Sequence, residues 1–337
     1  MRRAAAALAA LVCLHGAALA AGFHPIDVRI MPITHFDRSD NGQTHFGALT
    51  FLGGFAISSL DPGFGGWSGL DFAADGSLIA EADTGFWLRA RLEETNGAPT
   101  GLADPELGVM LGENGEPAPN KIATDAESLR ITTIGGVETA FVSFEQTPMI
   151  RTFRGPDFAA AVPTRIPLPK FVNHLPRNLG LESIAIAPAD GPLAGATVVI
   201  AERALDASGS HRGFVLSGPR TGTFMIRRRD DFDISDADFL PDGDLLILER
   251  KFSLLGGFGL RLRLIHAADI VANATVDGTV LLTADDHDDI DNMEGLAARP
   301  GPDGETLLTL ISDDNQSLLQ RTVLLQFALP PQTKTAP

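Results

Sequence analysis

Short apolar runs separated by turn residues make up most of the chain, and five stretches share one layout. The clearest reads Asn292-Met293-Glu294-Gly295-Leu296-Ala297-Ala298, then Pro302-Asp303-Gly304, then an apolar run ending Ser312-Asp313-Asp314-Asn315. Asp-Gly between two strand-like runs marks a hairpin, because both residues tolerate the dihedrals of tight turns. The pattern predicts an acid at the mouth of one strand and more acid at the end of a second, buried strand.

Four earlier copies lie beneath it. They begin at Trp67-Ser68-Gly69-Leu70, Asp125-Ala126-Glu127-Ser128-Leu129, Leu181-Glu182-Ser183-Ile184 and Asp236-Ala237-Asp238-Phe239. Taking Ser68, Glu127, Glu182, Asp236 and Glu294 as equivalent, the copies recur about every 54 to 59 residues, a period that with short strands points to a β-propeller. The fold class expected is all-β, a single β-propeller. Five inner strands are readable, and the remaining length leaves room for a sixth built from N-terminal residues. Six blades are therefore expected, with five as the alternative. A strand at residues 45–57 precedes the first copy and has no blade of its own. It should pair with the terminal strand at residues 322–329, closing the ring and removing exposed edges.

Between the copies, residues 27–33, 224–229 and 260–265 read as further strands. Residues 99–120 read as an excursion on one face, and the proline-rich 156–176 as edges and turns. Residues 269–272 could form a single helical turn. No amphipathic segment is long enough for a real helix.

Composition adds a compartment. Met1-Arg2-Arg3, an apolar run to Leu14, and Ala18-Leu19-Ala20 read as a signal peptide over 1–20, leaving a propeller domain at 21–337 that is periplasmic or secreted. The paired arginines are compatible with either general or twin-arginine export. The one cysteine, Cys13, lies in that signal, so the mature chain has no thiol chemistry. The formal charge is −17, and −19 once Arg2 and Arg3 are removed. Such a surface repels nucleic acid and anionic membranes and suits hard cations. No other run could insert into a membrane, and a monomer is expected.

In a propeller the first strand of each blade lines the channel, so Glu127, Glu182, Asp236 and Glu294 should converge, with Asn292 beside them. Crowded carboxylates raise one another's pKa or recruit a cation. Oxygen ligands favour Ca²⁺ or Mg²⁺ over zinc. The alternative is that these acids bond the backbones of neighbouring blades. Asp83, Glu145, Glu202, Glu249 and Asp313 form a second set at the second-strand ends, beside Arg203, Arg250 and Lys251. Arginine grips phosphate or carboxylate with two hydrogen bonds, so this set could hold an anionic ligand, or be an inter-blade salt-bridge network. The acidic run Asp285–Asn292 lacks the glycine and spaced glutamate of an EF-hand loop; it is a second cation site or a solvated loop. Residues 66–69 fail the spacing of a nucleophile elbow. Water activated by metal or carboxylate is therefore the expected nucleophile of any hydrolysis.

Taken together, Trp67-Ser68-Gly69-Leu70-Asp71, Glu127-Ser128-Leu129, Asn178-x-Gly180-x-Glu182-Ser183, Leu248-Glu249-Arg250-Lys251-Phe252 and Asp291-Asn292-x-Glu294-Gly295-Leu296 resemble a family of secreted bacterial proteins called phytase-like, or "esterase-like activity of phytase". The resemblance runs from about Phe51 to Leu329. It implies a propeller and an ester- or phosphoester-hydrolysing activity on a small molecule. On that reading Glu127, Glu182, Asp236, Glu294 and Asn292 hold Ca²⁺. Glu294, Glu182 and Asp313 carry catalysis, and Arg203, Arg250, Lys251 and Asn315 hold the substrate. The alternative is a non-catalytic, calcium-stabilised propeller that binds a ligand or partner.

Overall fold

The computed structural model describes residues 22–331, apart from 96, 119–120, 173–174, 176–179 and 254–255, and apart from the side chain of residue 122. The expected signal peptide and Asn178 of the family motif lie outside the described residues.

Each copy of the repeat forms the two innermost, antiparallel strands of a sheet, and among the described residues there are five such sheets. The inner strands are Trp67–Phe72 (blade I), Ala126–Ile134 (II), Leu181–Ile186 (III), Asp233–Phe239 (IV) and Asn292–Pro300 (V). Each touches the inner strands of the blades on both sides, and blade V touches blade I, so the ring is closed. Five blades replace the expected six. The N-terminal residues set aside for a sixth add outer strands to two others. Val28–Ile33 and Leu49–Ser59 extend blade V, and His24–Pro25 pairs with Leu107 and Glu106 on the edge of blade I. The first half of the expected excursion is regular structure, because Ala98–Val109 is a twelve-residue strand in a long hairpin with Phe86–Thr95. These outer strands use the length that a sixth blade would need.

Closure is the one expected. Leu49–Ser59 lies antiparallel to Thr322–Leu329, pairing Ile57 with Thr322 and Phe55 with Leu324. Gly54 sits where the strands pass closely: a Cβ there would lie 2.5 Å from the Leu324 carbonyl oxygen. Helix is confined, among the described residues, to Lys121–Thr124 and a 3₁₀ turn at Ala267–Asp269, close to the turn expected at 269–272.

The core is five apolar wedges, one at each blade interface, rather than one central mass. Trp87, Leu129, Val142 and Phe153 fill the space between blades I and II, with the Trp87 and Phe153 rings edge-on at 5.0 Å. Leu248, Leu262, Leu296 and Leu310 fill that between IV and V. Burying each such side chain stabilises by about 1.5–3 kcal/mol. Because apolar faces meet between blades, the inner strand edges facing the axis are free to carry polar groups.

Every inner strand also carries a β-bulge at the same place. Pairing skips Ser68, Glu127, Glu182, Ser235 and Glu294, each between two residues that pair with the second strand. A bulge turns the strand and re-aims the extra residue. It is this five-fold irregularity that brings the acids to one mouth.

Candidate functional site at the channel mouth

The bulge register corrects the sequence alignment in blade IV. The residue equivalent to Glu127, Glu182 and Glu294 is Ser235, not Asp236. One residue is enough to send a strand side chain to the opposite face. Asp236 lies in a layer deeper along the axis, fully buried. It accepts hydrogen bonds from Ser128 Oγ (2.7 Å), Leu296 N–H (2.8 Å) and Arg130 (3.0 Å). This layer is a clasp. Arg130, also buried, reaches Asp236 and Asp238 (3.2 Å) and donates to the carbonyls of Leu70 and Ala237, joining blades I, II and IV. Burial pushes Asp236 up to about 6, and burial with the neighbouring Asp238 pushes Asp71 up to about 7, against the pull of Arg130. The expected alternative, acids bonded to neighbouring blade backbones, is thus realised in this deeper layer.

The same shift affects the second-strand ends. Pairing makes Asp83, Glu145, Glu202, Arg250 and Asp313 equivalent, each following the partner of the residue before the bulge. Glu249 points away into blade IV and forms a fully buried two-point ion pair with Arg263 (Nε to Oε2, 2.8 Å). One arginine therefore stands in a ring of acids. Its guanidinium lies 3.4 Å from Glu202 and Glu294 and 3.9 Å from Glu182, and it also donates to Asn292. Asn292 in turn donates to Glu294 Oε1 (2.6 Å).

The acids cluster most tightly on blades II and III. Asp125, Glu127 and Glu145 bring one oxygen each within 4.8 Å of one another, and so do Glu145, Glu182 and Glu202. Burial, then mutual repulsion, raises Glu127 and Glu182 well above the carboxylate range. The same causes lift Glu145 to about 7, and burial with the adjacent Glu294 lifts Asp313 to about 8. Glu182 Oε2 is buried without a partner. On the blade I side Lys121 pairs with Asp83 and approaches Asp125 (3.9 Å). Crowded, partly unpartnered oxygens with few cations are the donor set of a hard divalent ion.

Of the sequence-expected residues, Glu127, Glu182, Glu294, Asn292, Asp313 and Arg250 meet at this mouth. Arg203 stands exposed at its rim, bound to Asp233 (3.0 Å). Lys251, one residue beyond Arg250, projects from the other face of the strand over the Phe232 ring (4.5 Å). Asn315 is an exposed turn residue whose backbone N–H donates to Asp313 (2.6 Å). Arg227–Arg229 are paired with acids: Arg228 with Asp231 and Asp233, Arg227 and Arg229 with Asp277. Asp285, Asp286 and His287 form a further, exposed cluster that shares no residue with the two triads.

Three site residues escaped the sequence reading. Asp125 stands two residues before a bulge, as Asn292 does, and that shared offset was the available signal. Arg130 carried none. Glu81, fully buried with both carboxylate oxygens unpartnered, lies over Gly69 and was hidden inside an apolar run.

Among solved structures, a thermostable family-43 glycoside hydrolase matches at a TM-score of 0.47 and 9% identity, over 82% of this chain and 97% of its own. The α-L-arabinofuranosidase of Podospora anserina matches at 0.44 and 11%, over 84% and 97%. A putative gluconolactonase matches at 0.41 and 11%, over 91% and 94%. Likeness at this level says nothing about chemistry. No curated protein matches. The family model described as "Esterase-like activity of phytase" matches residues 62–316, most of the propeller including all five inner strands, and the chain belongs to that phytase-like family.

Proposed function

We propose that this protein hydrolyses ester or phosphoester bonds of a small molecule, outside the cytoplasm, with Ca²⁺ held at the channel mouth. The observation that carries the reading is the pair of carboxylate triads, Asp125-Glu127-Glu145 and Glu145-Glu182-Glu202, beside the guanidinium of Arg250. The buried, unpartnered Glu182 Oε2 fits a cation ligand. When bound, Ca²⁺ would polarise the phosphoryl or carbonyl oxygen of the substrate. Asn292 orients Glu294 by a 2.6 Å hydrogen bond, so that this carboxylate takes the proton from the attacking water. Asp313, pushed up to about 8, keeps its proton at neutral pH and delivers it to the departing alkoxide. Arg250 balances the negative charge of an anionic substrate, and Arg203 at the rim steers it inward. A location outside the cytoplasm rests on the N-terminal signal. Among the described residues no helix is long and apolar enough to cross a membrane.

The test is hydrolysis of p-nitrophenyl phosphate and p-nitrophenyl acetate, with and without chelator, by the wild type and by Glu294→Gln. Activity that neither change diminishes would remove this mechanism. One observation favours a second reading, a non-catalytic propeller stabilised by calcium: Arg250 already bridges three of the acids. A calcium-dependent melting temperature with no turnover on either substrate would support that reading.

A further inference from the structure

We propose that the mouth holds two divalent cations side by side, with the Glu145 carboxylate shared between them. The inference deepens the reading above and rests on it. The two triads have one member in common: Glu145 groups with Asp125 and Glu127 of its own blade in one, and with Glu182 and Glu202 of blade III in the other. A calcium–oxygen bond of about 2.3–2.6 Å places ligands on opposite sides of an ion about 5 Å apart. Each triad, with its oxygens within 4.8 Å, can therefore close around its own ion. A bridging carboxylate is the usual way to hold two ions roughly 3.5–4 Å apart, the spacing that lets one bind the attacking oxygen and the other the leaving one.

Charge points the same way. Asp83, Asp125, Glu127, Glu145, Glu182, Glu202, Glu294 and Asp313 face only Lys121, Arg250 and, at the rim, Arg203 among the described residues. Arg250 spans its three acids at 3.4–3.9 Å, longer than a close ion pair, and its Nε has no partner. An independent sign is that the buried Glu182, in the second triad, retains an unpartnered oxygen, Oε2.

The test is isothermal titration of chelator-treated protein with CaCl₂, with bound calcium counted independently by elemental analysis. Two ions per chain are expected. Asp125→Asn and Glu202→Gln should each leave one, and Glu145→Gln should weaken both at least tenfold. A single ion per chain, or the loss of the same ion in both outer variants, would overturn the two-ion proposal while leaving a calcium-dependent hydrolase intact. No bound ion at all would overturn both. Should Glu145→Gln fail to fold, which circular dichroism would reveal, the two outer variants still decide the matter.

Discussion

Replacing Arg130 with methionine removes a cation from the axis while keeping a side chain of similar length. In the native chain its guanidinium lies 3.0 Å from Asp236 and 3.2 Å from Asp238, all three buried, with Asp71 the third acid around it. Removing one partner from a buried ion pair costs about 3–5 kcal/mol, because the partner is left charged in a low-dielectric site. The sign of the pH dependence follows from the acids. Burial holds Asp71 at about 7 and Asp236 at about 6, above their unfolded values even with Arg130 present. A carboxyl raised in this way contributes stability that is complete below its unfolded pKa and is lost as pH rises through the folded one. Without Arg130 the folded values climb further, so the variant should lose most at pH 8 and least near pH 5. Urea denaturation at both pH values, in calcium so that the mouth is constant, gives the difference directly. A destabilisation of about 3–5 kcal/mol at pH 8, shrinking by at least half at pH 5, is expected. A loss below about 1 kcal/mol at pH 8, or one that grows on acidification, would refute the view that this layer clasps the blades electrostatically.

In chelator the wild type should melt at progressively lower temperature from pH 5 to pH 8, because Glu145 (about 7) and Asp313 (about 8) are raised carboxylates that must ionise over that window; saturating calcium should flatten or reverse the trend in a scanning-calorimetry series. Glu249→Gln should destabilise by about 3 kcal/mol, because the buried Arg263 keeps only the half-exposed Asp277 as a charged partner, yet leave calcium affinity unchanged in titration, since Glu249 faces the blade and not the mouth. Gly69→Ala should cost about 1–3 kcal/mol in urea melts, because its Cβ would come 2.7 Å from the Leu129 amide nitrogen and 2.8 Å from Glu81 Oε1.

How far the chain could be read without its structure depended on whether a feature was periodic. The strands, the hairpin turns and the closure of residues 49–59 onto 322–329 were legible, because alternation and Asp-Gly turns act over a few residues. The blade count was not. Whether residues 22–59 make a blade or extend two others depends on which edges they find, and sheet pairing at that separation leaves no local mark. Glu127, Glu182 and Glu294 were found because three blades repeat the acid at one offset. Asp236 and Glu249 misled because blade IV puts serine at the bulge and an acid directly after it, then arginine where the others carry an acid.

By itself, the sequence determined an all-β ring of repeated hairpins, rich in acid and poor in lysine, with carboxylates at the strand ends. Those properties follow from hydrophobic period, turn chemistry and charge, each fixed by near neighbours in the chain. Only the tertiary structure decided that there are five blades, that Arg130 ties three of them at the axis, and that Asp125, Glu145 and Glu202 join Glu127 and Glu182 in one crowded mouth. Those groups lie far apart in sequence. Their meeting is set by bulges that re-aim single residues and by the packing angle of one blade on the next, and neither is encoded within a single repeat.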